Sequence, residues 1–227
     1  MRNLIQSNGN IHPCIAFDLE VVGSDRTDEY IDNYKNFKAP SNYKSDIAIQ
    51  KFIVESKYKE RQRAALHIPT QKIWVACIED VLMKKQEHFT SISEKQIITE
   101  LFEYLNEFPD HILVGFNSKG YDIPCLFGAA LRHNVKIPIQ LRHTSLQADI
   151  LDDFYHNKIK LNDIAFLLNR QKLMSGTDVG QEYMEYIMNG NEESLDRIIE
   201  YCADDTNIVA EYIRHVYGVE NILGEAL

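Results

Sequence analysis

The sequence predicts a mixed α/β domain with one central β-sheet of about five strands flanked by α-helices. Three observations carry this reading. Apolar runs of strand length, 14–22, 72–80 and 111–116, fall in the first half of the chain. Apolar rhythms of helical period dominate the second half. The 227 residues are 44% apolar and 26% charged, an ordinary globular composition long enough to bury a full core. Length predicts a single domain over 1–227, with a long insertion at about 24–69.

Cys14-Ile-Ala-Phe-Asp-Leu-Glu-Val-Val22 reads as a central strand ending at Gly23. From Ser24 to about Pro69 the chain is polar and rich in tyrosine, lysine and aspartate, with a turn at Ala39-Pro40-Ser41-Asn42 and an amphipathic helix predicted over 47–63. Lys72 to Asp80 predicts a second strand and Glu87 to Thr90 a third. Ile97, Ile98, Leu101, Phe102 and Leu105 give a helix capped by Ser93 and ended before Pro109. A buried strand over 111–116, a helix over 121–133 and a short element over 145–150 follow. Helices at 161–168, 179–188 and 193–216 complete the chain.

Composition removes several classes. No run approaches the roughly 18 apolar residues of a membrane span, and the N-terminus lacks an apolar stretch of signal-peptide length, so a soluble, cytoplasmic protein is expected. Cys14, Cys77, Cys125 and Cys202 form no Cys-x-x-Cys pair, the histidines show no zinc spacing, and buried free thiols are expected. The net charge of −10 opposes general affinity for nucleic acid, but 21–63 holds nine basic and seven acidic residues, so phosphate contact is confined to a patch.

Three segments carry acids where apolar residues are expected. Asp18 and Glu20 alternate on the most apolar strand and share one face. They are either a solvent-facing strand end or a buried like-charged pair, and Phe17, Leu19, Val21 and Val22 favour burial. Asp122 follows the strand over 111–116 through Asn117-Ser-Lys-Gly-Tyr and opens a helix, where an acid also suits the helix dipole. On the last helix Ile198, Cys202, Val209 and Tyr212 make an apolar stripe that includes Asp205, while Asp204 joins the polar face as an ordinary surface acid. Tyr201 lies one turn before Asp205, and a buried Asp accepting from a tyrosine is the plain alternative. Four inward acids without basic partners suit two hard cations, Mg²⁺ or Mn²⁺, whose chemistry is in-line displacement at phosphorus.

In these residues the sequence resembles the DEDD superfamily of 3′→5′ exonucleases, on the ribonuclease H-like fold. Asp18-Leu-Glu20 resembles its first motif, Asn117-Ser-Lys-Gly-Tyr-Asp122 its second, and Tyr201-Cys-Ala-Asp-Asp205 the third motif of its tyrosine (DEDDy) branch. It is most similar to stand-alone exonucleases related to the proofreading domain of family B DNA polymerases. The resemblance spans 14–217 and implies a metal-dependent 3′→5′ exonuclease releasing nucleoside monophosphates from single-stranded or frayed DNA. It implies that Asp18, Glu20 and Asp205 hold the cation activating water, with Asp18 also reaching a second cation held by Asp122. Tyr201 is implied to orient the water, and Leu19, Asn117 and Tyr121 to contact the terminal nucleotide. Asp149 and Lys172 stand near the site in similar proteins but read here as solvated loop residues. An exoribonuclease of the same chemistry and a non-catalytic nucleic-acid-binding protein on the same fold are the alternatives. A replication or repair partner is left open. The insertion reads either as a flap gripping single-stranded DNA or as a solvated surface excursion.

Overall fold

The computed structural model describes residues 4–6, 11–155, 158–174 and 178–218. Two compact units divide the chain: one is formed by the residues up to Glu20 with those from Ile73 onward, the other by Val21–Lys72.

The first unit is built on a five-stranded sheet in the order β3-β2-β1-β4-β5. The strands are β1 (Cys14–Gly23), β2 (Gln71–Asp80), β3 (Lys85–Thr90), β4 (Ile112–Gly115) and β5 (Gln147–Asp149). β1 and β2 run on into the second unit at their outer ends. β2 and β3 are antiparallel, whereas β4 is parallel to both β1 and β5, so the sheet is mixed. Between the strands lie α3 (Glu94–Glu107), α4 (Asp122–His133) and the short α5 (Ile139–Arg142); α6 (Leu161–Leu167), α7 (Val179–Asn189) and α8 (Glu192–Tyr217) follow. Helices α1 (Thr27–Tyr34) and α2 (Asp46–Gln62) belong to the second unit.

Central position explains the apolar character of β1, covered on both faces. Cys14, Ala16, Val114 and Ala148 pack into one core with Ile208, Val209 and Ile213 of α8. Ser93 caps α3 by accepting the Gln96 N–H, as its sequence predicts. All four cysteines are free and buried. Among the described residues no helix is long and apolar enough to cross a membrane.

Two buried acids with basic partners, Glu94 and Glu79, tie the layers together. Glu94, at the start of α3, accepts the Ile73 N–H (2.7 Å) and pairs with Arg132 (2.7 Å) and His133 (2.7 Å) of α4. Glu79 of β2 pairs with Arg214 of α8 at 2.6 Å and accepts from Asn207 at 2.9 Å. Charge pairing, chiefly with Arg132, holds the Glu94 carboxyl below its usual range against the opposing effect of burial.

Two readings of the sequence differ from the structure here. The polar stretch after Gly23 contains α1, whose residues give no long apolar rhythm; it is held by Asp28–Arg61 and Asp32–Lys57 pairs to α2. Asp204 is not an open surface acid: its carboxylate is largely buried and bound by Arg170.

Glu94→Ala removes the buried carboxylate that pairs with Arg132 and His133 and leaves the Ile73 N–H without its acceptor. A loss of about 3 kcal/mol in unfolding free energy is expected, read from the urea midpoint at unchanged slope. A midpoint within experimental error of wild type would show that the cluster does not hold α3 to α4.

Candidate active site

β1 pairs with β4 only through Cys14, Ile15 and Ala16, and β4 ends at Gly115. Asp18 and Glu20 therefore project beyond the carboxyl end of β4, where parallel strands splay and α/β sheets leave a crevice. Glu20 is buried and Asp18 partly accessible, while the Leu19 side chain turns to the opposite face and is buried there. Leu19 can thus meet a ligand only through its backbone.

The chain leaves β4 through a tight loop to α4. Asn117 adopts a left-handed backbone (φ 55°), and Gly115 lies so close to Ser118 that a Cβ there would fall 2.4 Å from the Ser118 Cβ. Asp149, at the end of β5, gathers the loop. Its carboxylate accepts the N–H groups of Asn117 (2.9 Å), Lys119 (3.1 Å) and Leu151 (3.0 Å). Far from being a solvated loop residue, Asp149 is buried and sets the path that delivers Asp122 to the site. Asp122 is buried at the first turn of α4, Tyr121 stands beside it, and Asn117 is exposed on the loop.

Helix α8 supplies the third segment. Tyr201, Cys202 and Asp205 are buried on its inner face. Carboxyl oxygens of Asp18 and Glu20 and the Cys202 sulfur lie within 4.8 Å of one another. Burial, the Cys77 thiol and the nearby acids push the Cys202 thiol well up, so it lines the site as a neutral S–H rather than as a thiolate.

Lys172, like Asp149, is not a solvated loop residue. Its ammonium donates to Asp205 Oδ2 (2.6 Å) and to the Tyr201 hydroxyl (3.1 Å), and lies 4.8 Å from the Tyr201 ring centroid. Two residues earlier, Arg170 anchors this segment to Asp204, Asn207 and Glu211 on α8. The available signal was an imbalance: a buried cluster of acids calls for a cation, and the segment before α7 contains one.

Electrostatics bind the set together. Burial pushes Glu20 up to about 8, aided by Asp205 and Asp122 and opposed by Lys172. Burial pushes Asp122 up to about 7, with its own backbone N–H opposing and Asp149 adding to the rise. Asp205 rises to about 6, burial outweighing Lys172 and Tyr201. Asp18 is raised well above its ordinary value by burial, then by Glu20, Asp122 and Asp205. Tyr201 is raised by burial and by Asp205, Glu20 and Asp18, so it stays a neutral O–H donor. Tyr121 is raised by burial and senses Asp122, Glu20 and Asp18. The site thus unites Asp18, Glu20, Asp122, Tyr121, Tyr201 and Asp205.

The donor set fits a hard divalent cation. Asp205 Oδ1 is buried without a hydrogen-bond partner, and Asp18 and Glu20 offer oxygens on the same side of β1. Carboxylate oxygens that repel one another and lack donors are the ligands such cations take.

The pattern sets a pH dependence. Ordinary carboxyls of the unfolded chain titrate near 3.8 and 4.5, whereas Asp205, Asp122 and Glu20 hold protons in the folded state to about 6, 7 and 8. Between pH 4 and 8 the folded chain binds more protons, so raising pH through this window removes stability. In chelator the melting temperature is expected to fall from pH 5 to 8, less steeply in Asp18→Asn, and to recover at pH 8 with Mg²⁺ or Mn²⁺. Parallel wild-type and Asp18→Asn profiles would show that the acids do not share a site.

The family model described as RNase_H superfamily (RNase_H_2) matches residues 68–217. That stretch contains Asp122, Tyr201 and Asp205 and begins after Asp18 and Glu20. Among solved structures, the chain is similar to the family B DNA polymerase from the hyperthermophilic archaeon Pyrobaculum calidifontis, with TM-score 0.59 and 14% identity. The match covers 90% of this chain and 24% of the polymerase, so the chain spans about a quarter of that protein's length. No curated protein matches the sequence significantly.

Proposed function

Because the chain belongs to the RNase_H superfamily, we propose that it is a 3′→5′ exonuclease of the DEDDy type. In this reading it depends on two divalent cations, Mg²⁺ or Mn²⁺, and releases nucleoside monophosphates from the 3′ end of DNA, single strands by preference. One observation carries the reading: four acids from three separate elements gather around a buried tyrosine, with Asp122 and Asp205 both pushing up the carboxyls of Asp18 and Glu20, and one acid, Asp205, keeps an unpartnered oxygen. The likeness to a family B DNA polymerase supports DNA as the substrate.

When bound, the cations activate the attacking water and stabilise the leaving oxygen. Asp18, Glu20 and Asp205 would hold one of them, and Asp122 with Asp18 the other. The water oxygen joins phosphorus as the bond to the upstream O3′ breaks. That O3′ leaves with a proton and the terminal nucleotide departs as its 5′-monophosphate. Tyr201, kept neutral by burial and by its acidic neighbours, orients the water and takes no proton. Lys172 links Tyr201 and Asp205, donating to the Tyr201 hydroxyl and to Asp205, and the Tyr201 side chain is itself hydrogen-bonded to Asp205. Asn117 and Tyr121, beside Asp122, hold the terminal nucleotide, with Leu19 contributing backbone groups.

The test uses 5′-labelled DNA and RNA strands of one sequence, with Mn²⁺, with Mg²⁺ and with chelator. A metal-dependent ladder shortening from the 3′ end is expected, faster on DNA; strands that bind but never shorten would refute the catalytic reading, and a faster RNA ladder would move the substrate to RNA.

Asp18→Asn and Asp122→Asn are expected to retain less than about a thousandth of the activity with the fold intact. Tyr201→Phe is expected to lower kcat by about a hundredfold while metal-induced stabilisation persists. Turnover at the wild-type rate in Asp18→Asn would sink the site assignment.

A further inference from the structure

The unit Val21–Lys72 has a construction of its own. Its ends are closed on each other: the Ser24 N–H donates to the Thr70 carbonyl (2.7 Å), and the Thr27 hydroxyl donates to the same carbonyl (3.2 Å). The antiparallel helices α1 and α2 are joined by ion pairs, Asp28 with Arg61, Asp32 with Lys57 (2.6 Å), and Lys35 with Glu60 (3.1 Å). Arg26–Glu29 and Lys51–Glu55 use two further acids.

This pairing consumes five of the unit's seven acids. Of the other two, Asp25 lies beside Arg26, and Asp46 occupies the first turn of α2, where the helix dipole favours an acid. On the basic side Lys38, Lys44, Lys59 and Arg63 are left over, all exposed and with no acid paired to them among the described residues. The unit holds ten basic and seven acidic side chains in a chain of net charge −10, so it is the cationic part of an otherwise acidic protein.

Its apolar surface is also unspent. No residue of the 17-residue helix α2 is buried. Ile47, Val54 and Tyr58, spaced to share one face, are 84%, 64% and 59% exposed. Tyr34 is 74% exposed yet oriented, stacked on Tyr30 with centroids 5.3 Å apart and planes 25° from parallel. Exposed rings interleaved with unpaired cations are the two elements of sequence-tolerant strand binding, stacking and phosphate neutralisation.

We propose that Val21–Lys72 binds single-stranded nucleic acid, with Lys38, Lys44, Lys59 and Arg63 on phosphates and Tyr34 and Tyr58 stacking bases. The proposal rests on the exonuclease reading, in which the protein must hold a strand although the charge of its site repels it. A protein partner is the competing occupant, and unpaired cations beside ordered aromatic rings favour the polyanion.

The test measures fluorescence anisotropy of a labelled dT20 strand with the full-length protein in chelator, across a KCl series. Lys38→Glu, Lys44→Glu, Lys59→Glu and Arg63→Glu combined are expected to weaken binding at least tenfold near 0.1 M salt. They should also flatten the slope of log K against log salt by about 3. Tyr34→Ala with Tyr58→Ala is expected to weaken binding about tenfold at unchanged slope. Four matched reversals elsewhere, at Lys95, Lys136, Arg142 and Lys158, are expected to change the affinity by less than threefold. Wild-type affinity in the first variant, or an equal loss in the matched control, overturns the proposal, with circular dichroism confirming that each variant is folded. Because chelator stops turnover, this outcome is independent of the exonuclease reading, which is judged separately by wild-type release of p-nitrophenol from thymidine 5′-(p-nitrophenyl phosphate) with Mn²⁺. Absence of that release removes the exonuclease reading and leaves the strand-binding result standing.

Discussion

Mutual repulsion among carboxylates at the carboxyl end of the sheet is the constraint around which the first unit is arranged. Asp18, Glu20, Asp122 and Asp205 each sit where desolvation and neighbouring acids disfavour their charge. A flexible scaffold would relieve this by moving them apart. Here each is fixed by an element with no freedom to retreat: the central strand β1, the first turn of α4, and the inner face of the 26-residue helix α8. Lys172 is the cation that bonds directly into the cluster among the described residues, and it offsets only part of the negative charge. Its placement depends on Arg170, whose contacts with Asp204, Asn207 and Glu211 pin the preceding backbone to α8.

Hydrogen-bond accounting separates two kinds of buried acid in this fold. Asp149 and Glu94 are surrounded by donors: three backbone N–H groups for the first, a backbone N–H, an arginine and a histidine for the second. Both are spent on structure, one holding the loop that leads to Asp122 and the other joining β2, α3 and α4. Asp205 is different, because one oxygen meets Lys172 while the other is buried without a partner. An unmet acceptor inside a protein is costly and calls for a partner, and a hard cation is the partner its neighbours suit.

Most of the fold was legible because its elements are long or strongly patterned. The apolar run of β1, the Ser93 cap and the stripe on α8 gave elements whose observed ends agree within one or two residues. Burial of Asp205 beside apolar neighbours was equally visible, since helical spacing alone puts it on the inner face. Helix α1 was not, because eight polar-rich residues held by cross-helix ion pairs leave no local periodicity to read. Lys172 and Asp149 read as solvated, and Arg170 stayed unmarked, for a related reason. Each acts through a partner 29 to 41 residues away in sequence, and a single charged residue in a loop looks the same whether it is solvated or clamped.

The position of the second unit in the chain bears on its purpose. β1 and β2 are neighbours in the sheet, and adjacent strands can be joined by a hairpin of a few residues or a crossover of about a dozen. Val21–Lys72 is several times longer than either, folds its ends onto each other, and begins immediately after Glu20. It is therefore not needed to close the sheet. Its entropic cost is reduced by the closed base, and its internal ion pairs satisfy α1 and α2 without covering the apolar face of α2. A connection that is longer than topology requires, internally paired, cationic in an acidic chain, and left with ordered aromatic rings in solvent has the properties of a module for an anionic ligand. The first unit, whose function in the proposed reading demands clustered negative charge, lacks such a surplus of cations.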